Sequence, residues 1–162
     1  MNLFLMRHGS ADPAMSGGNY GLTPQGRSEV RLICAQAAAS GIVPKKVWHS
    51  PKTRAAETAL IALEVWCPDA DCRVQEGVLP EDSAEEAVFV INAFAQKHSG
   101  EDLLIVSHLP FLPAAVVFLT GGRADPPRFS PGSCYWLEGS GSGFWTTRHF
   151  WSPEDFRRVT MA

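Results

Sequence analysis

The sequence predicts an α/β fold, a three-layer α/β/α sandwich around a mostly parallel sheet. Apolar runs at residues 3–6 and 103–106 are typical of strands that are buried on both faces. Between such runs, apolar residues recur at helical spacing, as they do over residues 30–38. Because strands that alternate with helices form parallel sheets with helices on both faces, we expect that arrangement here.

The first helix has a clear start signal. Residues 11–20 contain proline and glycine and are predicted to form a loop after the first strand. Thr23 is a good N-cap residue, and Pro24 fits the first helical position. Gly41 is able to end this helix.

The remaining elements continue the alternation and finish with a hairpin. In chain order we predict a strand at 46–49, a helix at 53–66, an edge strand at 74–79, a helix capped by Asp82 or Ser83, a strand at 103–107, a helix from Pro110 to about Leu119, a loop at 121–132, and hairpin strands at 134–137 and 144–149. A hairpin is antiparallel, so it predicts an antiparallel strand at one edge of the sheet.

Composition and charge exclude several classes of protein. The 162 residues are enough for one domain with a sizeable core, which we expect to span residues 1–162. Hydrophobic residues make up 45% and charged residues 19%, an ordinary balance for a globular protein. The net charge of −3 and the lack of a basic block give no reason to expect a nucleic-acid partner.

The chain carries no predicted targeting or membrane segment. Its N-terminus lacks a basic region, and no apolar run approaches the ~20 residues that a membrane span needs. The spacing of the four cysteines fits no common zinc site; they are Cys34, Cys67, Cys72 and Cys134. Free thiols in a reducing compartment predict a cytoplasmic protein.

Three predicted strand ends carry residues suited to phosphate chemistry. The first strand ends at Arg7 and His8, the helix after the second strand begins near Arg54, and the buried strand ends at His108. The carboxyl ends of parallel strands share one edge of a sheet, so these side chains should converge there. Arginine binds phosphate oxygens through its planar fork, while one imidazole can attack phosphorus and another can donate to the oxygens.

Four segments in order resemble the motifs of a known family. LMRHG at 5–9, LTPQG at 22–26, SPKTRAAET at 50–58 and VSH at 106–108 are similar to those of the histidine phosphatase superfamily. This resemblance implies a phosphoglycerate mutase-like fold. The short length, VLPE at 78–81 and SHLP at 107–110 resemble the SixA-type phosphohistidine phosphatases within that superfamily.

The resemblance implies a role for each member of the site. His8 would be the nucleophile and form a phosphohistidine intermediate, while Arg7, Arg54 and His108 would bind the phosphoryl group. The backbone N–H of Leu109, near the start of a helix, could add a further donor. No metal or other cofactor is implied, because the fixed cations neutralise the phosphate.

The residue that protonates the leaving group is less well defined. Many superfamily members use a carboxylate, and Glu81 is the matching candidate, with Asp82 beside it. Some relatives also carry a polar residue shortly after the Arg-His-Gly turn that contacts phosphate, for which Ser10 and Ser16 are candidates.

Three functions are compatible with these residues. The first is hydrolysis of phosphohistidine on a protein, favoured because the segment between Arg54 and His108 is too short for the cap of larger relatives. The second is hydrolysis of a small phosphate ester by the same nucleophile, and the third is an inactive phosphate-binding module. The partner is therefore a phosphorylated protein or a small phosphate ester. The sequence leaves the oligomeric state open, and a monomer is compatible with it.

Overall fold

The fold alternates strands and helices as far as its fifth strand. The computed structural model describes residues 1–15 and 19–160, apart from the side chains of residues 15 and 158–160. Within them the strands are β1 (Asn2–Arg7), β2 (Lys46–His49), β3 (Asp71–Val74), β4 (Leu103–Ser107), β5 (Cys134–Glu138) and β6 (Thr146–Trp151). The helices are α1 (Pro24–Ala38), α2 (Thr53–Val65), α3 (Ala84–Lys97), α4 (Phe111–Thr120) and α5 (Pro153–Thr160), with a short 3-10 helix at Pro13–Met15.

The order of the strands brings the predicted site residues to one edge of the sheet. The six strands run β3-β2-β4-β1-β5-β6. Parallel pairing joins β3 to β2, β2 to β4, and β4 to β1, so these four strands end on the same side. β5 and β6 are antiparallel at the other edge. The predicted α/β class is confirmed, and the hairpin supplies its antiparallel strands.

Two hydrophobic cores cover the two faces of the sheet, as a three-layer sandwich requires. On β1, Leu3 and Leu5 contribute to the core beneath α3 and α4. Phe4 and Met6 contribute to the opposite core beneath α1 and α2. Successive strand residues point to opposite faces, which explains why β1 is an unbroken apolar run.

The predicted caps are present at two helices. The Thr23 hydroxyl accepts a hydrogen bond from the Gly26 N–H at 2.9 Å, which confirms it as the N-cap of α1. Of the two candidates for α3, Ser83 is the cap, and its hydroxyl accepts from the Glu86 N–H at 3.2 Å. α1 ends at Ala38, three residues before Gly41.

One sequence prediction of secondary structure is wrong, and one helix is not predicted. The edge strand predicted at 74–79 is β3, at Asp71–Val74. Its side chains are mostly exposed, so no apolar pattern marks it, and a turn at Gly77 with φ of +86° ends the extended chain soon after. Helix α5 has no counterpart among the predicted elements, which end with the hairpin.

The cysteines and helices add two further observations. All four cysteines are free, and burial raises the pKa of the Cys34 and Cys67 thiols, the latter to about 12. Among residues 1–15 and 19–160, no helix has the length and apolar character needed to cross a membrane.

Candidate active site

A pocket at the carboxyl ends of the parallel strands gathers the four predicted phosphate ligands. Arg7 and His8 come from the end of β1, His108 follows β4, and Arg54 lies in the first turn of α2. All four line one cavity of about 340 Å³. The same cavity is also lined by Ser10, Ala11, Tyr20, Pro80, Leu109 and Pro131.

The turn after β1 requires glycine because α1 packs directly against it. A Cβ atom added to Gly9 would lie 2.7 Å from Val30 Cγ2, inside van der Waals contact. A Cβ added to Gly26 on α1 would lie 2.2 Å from the Ser10 carbonyl oxygen. The Gly9 N–H donates to Thr58 Oγ1 at 3.0 Å, which ties the same turn to α2. Two glycines and one threonine therefore fix the backbone that carries His8.

The His8 ring is oriented by the backbone of the next residue. Its Nδ1 lies 2.8 Å from the Gly9 carbonyl oxygen. Because a carbonyl only accepts, Nδ1 carries the proton, and Nε2 of the neutral ring keeps its lone pair. Burial, reinforced by the charges of Arg54 and Arg7, lowers the pKa of His8 to about 4, and the Gly9 carbonyl opposes this shift. At neutral pH, His8 is therefore an uncharged ring with a free Nε2.

His108 is buried next to His8 and is held by a serine. The two ring centroids are 5.1 Å apart. Nε2 of His108 lies 2.5 Å from Ser50 Oγ, which also accepts from the Lys52 N–H at 3.3 Å. Burial lowers the pKa of His108 to about 3, reinforced by the charges of Arg54, Lys52 and Arg7 and by His8 when that ring is protonated. A Ser50 hydroxyl that donates to Nε2 leaves the His108 proton on Nδ1, where it can donate to a phosphate oxygen.

Several donors in this pocket are buried without a partner among the described residues. They are Nε of Arg7, Nε and Nη1 of Arg54, and Nδ1 of His108. Buried polar groups are nearly always hydrogen-bonded, and two neighbouring guanidinium groups repel each other. Burial and the charge of Arg54 also lower the pKa of Arg7. A phosphate dianion would satisfy the donors and offset the repulsion.

The structure does not bring the predicted acid into this pocket. Glu81 is exposed and lines a neighbouring groove with Pro110 and Phe118. The Asp82 carboxylate accepts a hydrogen bond from the Leu79 N–H at 2.8 Å and so stabilises the turn before α3. The role of Glu81 as a general acid stays a prediction.

The other candidate donors differ in their placement. Leu109 and Ser10 both line the pocket, Leu109 two residues before α4 begins. Ser16 lies outside the described residues.

Two contributors to the site are not identified by sequence reasoning. The sequence places Tyr20 only in a loop, yet its ring lies against the Arg54 guanidinium, with Cζ 4.6 Å from the ring centroid. Thr58 belongs to the SPKTRAAET motif, which by itself assigns it no role. Its position four residues after Arg54, on the same face of α2, is the signal that could identify it.

The arrangement defines a class of site. Two neutral imidazoles and two guanidinium groups surround a small cavity, and one imidazole presents a free nitrogen. This combination suits transfer of a phosphoryl group to a nitrogen nucleophile. Among the described residues, no group of three or more histidine, cysteine or acidic side chains could hold a metal ion.

Comparison with known proteins agrees with that class. Residues 3–69 match the sequence model of the histidine phosphatase superfamily, branch 1. The fold is similar to the protein histidine phosphatase SixA in complex with tungstate, with a TM-score of 0.88 and 25% identity over 96% of this chain and 99% of that one. A SixA protein of Agrobacterium tumefaciens gives a TM-score of 0.77 and 20% identity over 94% and 97% of the two chains.

More distant structures share the fold. A phosphoserine phosphatase of Entamoeba histolytica, in complex with 3-phosphoglyceric acid, gives a TM-score of 0.69 and 16% identity over 93% and 96% of the two chains. The comparison with curated proteins gives no match. The match to the family model over residues 3–69 and the likeness to SixA together support a phosphatase of the histidine phosphatase superfamily.

Proposed function

We propose that this protein hydrolyses phosphohistidine on a protein substrate through a covalent phosphohistidine intermediate on His8. The observation that carries the chemistry is the set of buried, unpartnered donors on Arg7, Arg54 and His108, all around the cavity that His8 lines. Donors arranged in advance around a transferring phosphoryl group stabilise its charge without reorganisation. Similarity to a protein histidine phosphatase supports the choice of substrate.

In the first displacement, Nε2 of His8 attacks phosphorus. The new bond joins Nε2 to phosphorus, and the bond from phosphorus to the nitrogen of the substrate imidazole breaks. The substrate ring takes a proton from solvent on its other nitrogen and so leaves as neutral imidazole. Nδ1 of His8 keeps its proton and donates it in a hydrogen bond to the Gly9 carbonyl oxygen. The phosphorylated ring is then cationic, which makes it a good leaving group in the next step. Arg7, Arg54 and His108 hold the equatorial oxygens.

In the second displacement, water attacks the phosphoryl group on His8. The bond from phosphorus to Nε2 breaks, inorganic phosphate forms, and the electron pair returns to Nε2. The water loses one proton to solvent in this step. The low pKa of His8 favours its return to the neutral form between turnovers.

The elements around the pocket support a protein substrate. The residues between Arg54 and His108 form the rest of α2 and then β3, α3 and β4. The loop between β3 and α3 contributes Pro80 to the pocket lining and contains no further helix or strand. A histidine on the surface of another protein could reach such a pocket.

The position of Glu81 supports a phosphoramidate substrate over an ester. The alcohol of an alkyl phosphate leaves as an alkoxide unless an acid protonates its oxygen. The imidazole of a phosphohistidine is a better leaving group and depends less on such an acid. Glu81 is exposed beside the pocket and does not line it. An ester substrate that brings its leaving oxygen toward Glu81 is the second candidate.

The test offers the purified protein both substrate classes. A protein domain phosphorylated on histidine with phosphoramidate is compared with phosphoserine and with 3-phosphoglycerate. We expect a higher kcat/KM on the phosphohistidine domain, and rapid acid-free quenching should trap acid-labile phosphate on His8, located by mass spectrometry. Trapping on another residue would overturn the mechanism. A preference for the esters that is lost in Glu81→Gln would favour the second candidate.

A further inference from the structure

The two arginines of the pocket are held by different means. Arg7 donates from Nη1 to the Phe129 carbonyl oxygen at 2.8 Å. On Arg54, Nε and Nη1 are buried without a partner among the described residues, so those atoms do not fix its orientation. Its guanidinium instead lies over the ring of Tyr20, at 4.6 Å from Cζ to the centroid.

The segment that carries Tyr20 is bound to the first turns of α2 on either side of that ring. Before it, Asn19 Oδ1 accepts from the Thr53 N–H at 2.9 Å. This bond matters because the N-cap residue of α2, Lys52, makes no side-chain cap of its own. After it, the Leu22 N–H donates to Glu57 Oε2 at 3.3 Å.

Glycine between these contacts allows the close approach. A Cβ added to Gly21 would lie 2.4 Å from Glu57 Oε1. Residues 19–22 therefore pack along the first turns of α2, and Tyr20 lies opposite Arg54 in this segment. The placement of the ring is a consequence of backbone contacts and does not depend on the stacking alone.

We propose that Tyr20 is a positioning residue for Arg54, whose ring orients the guanidinium toward the phosphate. An aromatic face attracts a guanidinium through its negative quadrupole and uses none of its N–H donors. A carbonyl partner, like the one on Arg7, would consume a donor. The stack therefore leaves every N–H of Arg54 for the ligand.

The inference rests on the proposed function only in treating the pocket as a phosphate site, and its test is a binding measurement. Inorganic phosphate is titrated calorimetrically into wild type, Tyr20→Leu and Tyr20→Phe. We expect Tyr20→Leu to weaken binding by about 3- to 30-fold, the range for a cation–π contact at a partly desolvated site. Tyr20→Phe keeps the ring and should remain within about twofold of wild type.

The matched control is a second stack of the same kind on the surface. Arg123 Cζ lies 4.8 Å from the centroid of the Phe144 ring, and neither residue lines the phosphate pocket. Phe144→Leu should leave phosphate binding unchanged. A double-mutant cycle with Arg54→Met separates action through Arg54 from direct contact, because Tyr20→Leu should then have no further effect.

The outcomes separate this inference from the proposed function. A wild-type protein that binds no phosphate overturns both. Normal binding in wild type, with equal binding in Tyr20→Leu, overturns the positioning role alone. The positioning role is also overturned if Tyr20→Phe fails to rescue, or if Tyr20→Leu weakens binding equally when Arg54 is already methionine.

Discussion

The ends of β1 and β2 look alike locally and differ in chemistry. His8 follows β1, and His49 is the last residue of β2. In both histidines, Nδ1 lies 2.8 Å from the carbonyl oxygen of the next residue. Only His8 lines the phosphate pocket between two arginines. The backbone contact that selects the tautomer is therefore not enough to make a nucleophile, and the surrounding cations and burial make the difference.

The residue after each histidine has a different task. Gly9 leaves room for α1, since a Cβ there would lie 2.7 Å from Val30. Ser50 instead supplies a hydroxyl to Nε2 of His108 at 2.5 Å. One strand end thus presents the candidate nucleophile, and the other supports the second imidazole.

The largest expected effect comes from removing His8, and removal of His49 is the control. His8→Ala should lower kcat/KM on the phosphohistidine domain by about a thousandfold or more, because the attacking nitrogen is lost. His49→Ala removes the same backbone contact outside the pocket and should retain activity within about tenfold. Steady-state kinetics at neutral pH check both. Equal losses in the two variants would break the contrast between the strand ends.

The next effect tests the space that Gly9 provides. Gly9→Ala places a methyl group against Val30 Cγ2 and should destabilise the fold by about 1–3 kcal/mol, measured by urea denaturation. Gly143→Ala is the control, since nothing lies within 4 Å of its added Cβ. A Gly9→Ala protein as stable as Gly143→Ala would show that α1 does not pack tightly on this turn.

A smaller effect is expected at the second strand end. Ser50→Ala removes the hydroxyl from His108 Nε2 and should lower kcat/KM by about tenfold, the cost of one buried hydrogen bond left unmade. Because His108 contacts phosphate in the proposed mechanism, inorganic phosphate should also inhibit this variant less. Unchanged inhibition would mean that Ser50 is only a turn residue.

The smallest effect concerns the protonation of His8. Only the neutral ring can attack, so a pKa of about 4 keeps His8 competent at neutral pH and makes it lose competence as the pH falls through 4. Arg54→Met removes one cause of the lowering while burial remains, so the pKa should rise but stay below 6.5. Nitrogen NMR titration of the ligand-free protein measures it. A pKa that falls or does not move would contradict the assigned cause.

The parts of the site that sequence could predict are local ones. Arg7 and His8 follow an apolar run, and His108 follows another, so strand ends and a parallel sheet bring them together. The contact between Ser50 and His108 depends on β2 pairing with β4, which no local pattern contains. Tyr20 lies in a loop whose course is set by contacts with α2.

The misplaced elements have a similar cause. β3 has mostly exposed side chains, so the apolar run that predicts a buried strand is lacking there. Its position follows from pairing with β2, where Lys46 is opposite Asp71. α5 follows the β6 edge strand and packs against α1. Both elements depend on partners that are distant in sequence.

The central position of β1 determines when the segment that carries His8 opens during unfolding. β1 is bonded to β4 on one side and β5 on the other, and its apolar residues are fully buried. Backbone amides of such a strand exchange with solvent only through the largest opening of the domain, whereas an edge strand such as β3 can fray alone. The imidazole on which the proposed chemistry depends is therefore attached to one of the last segments to open.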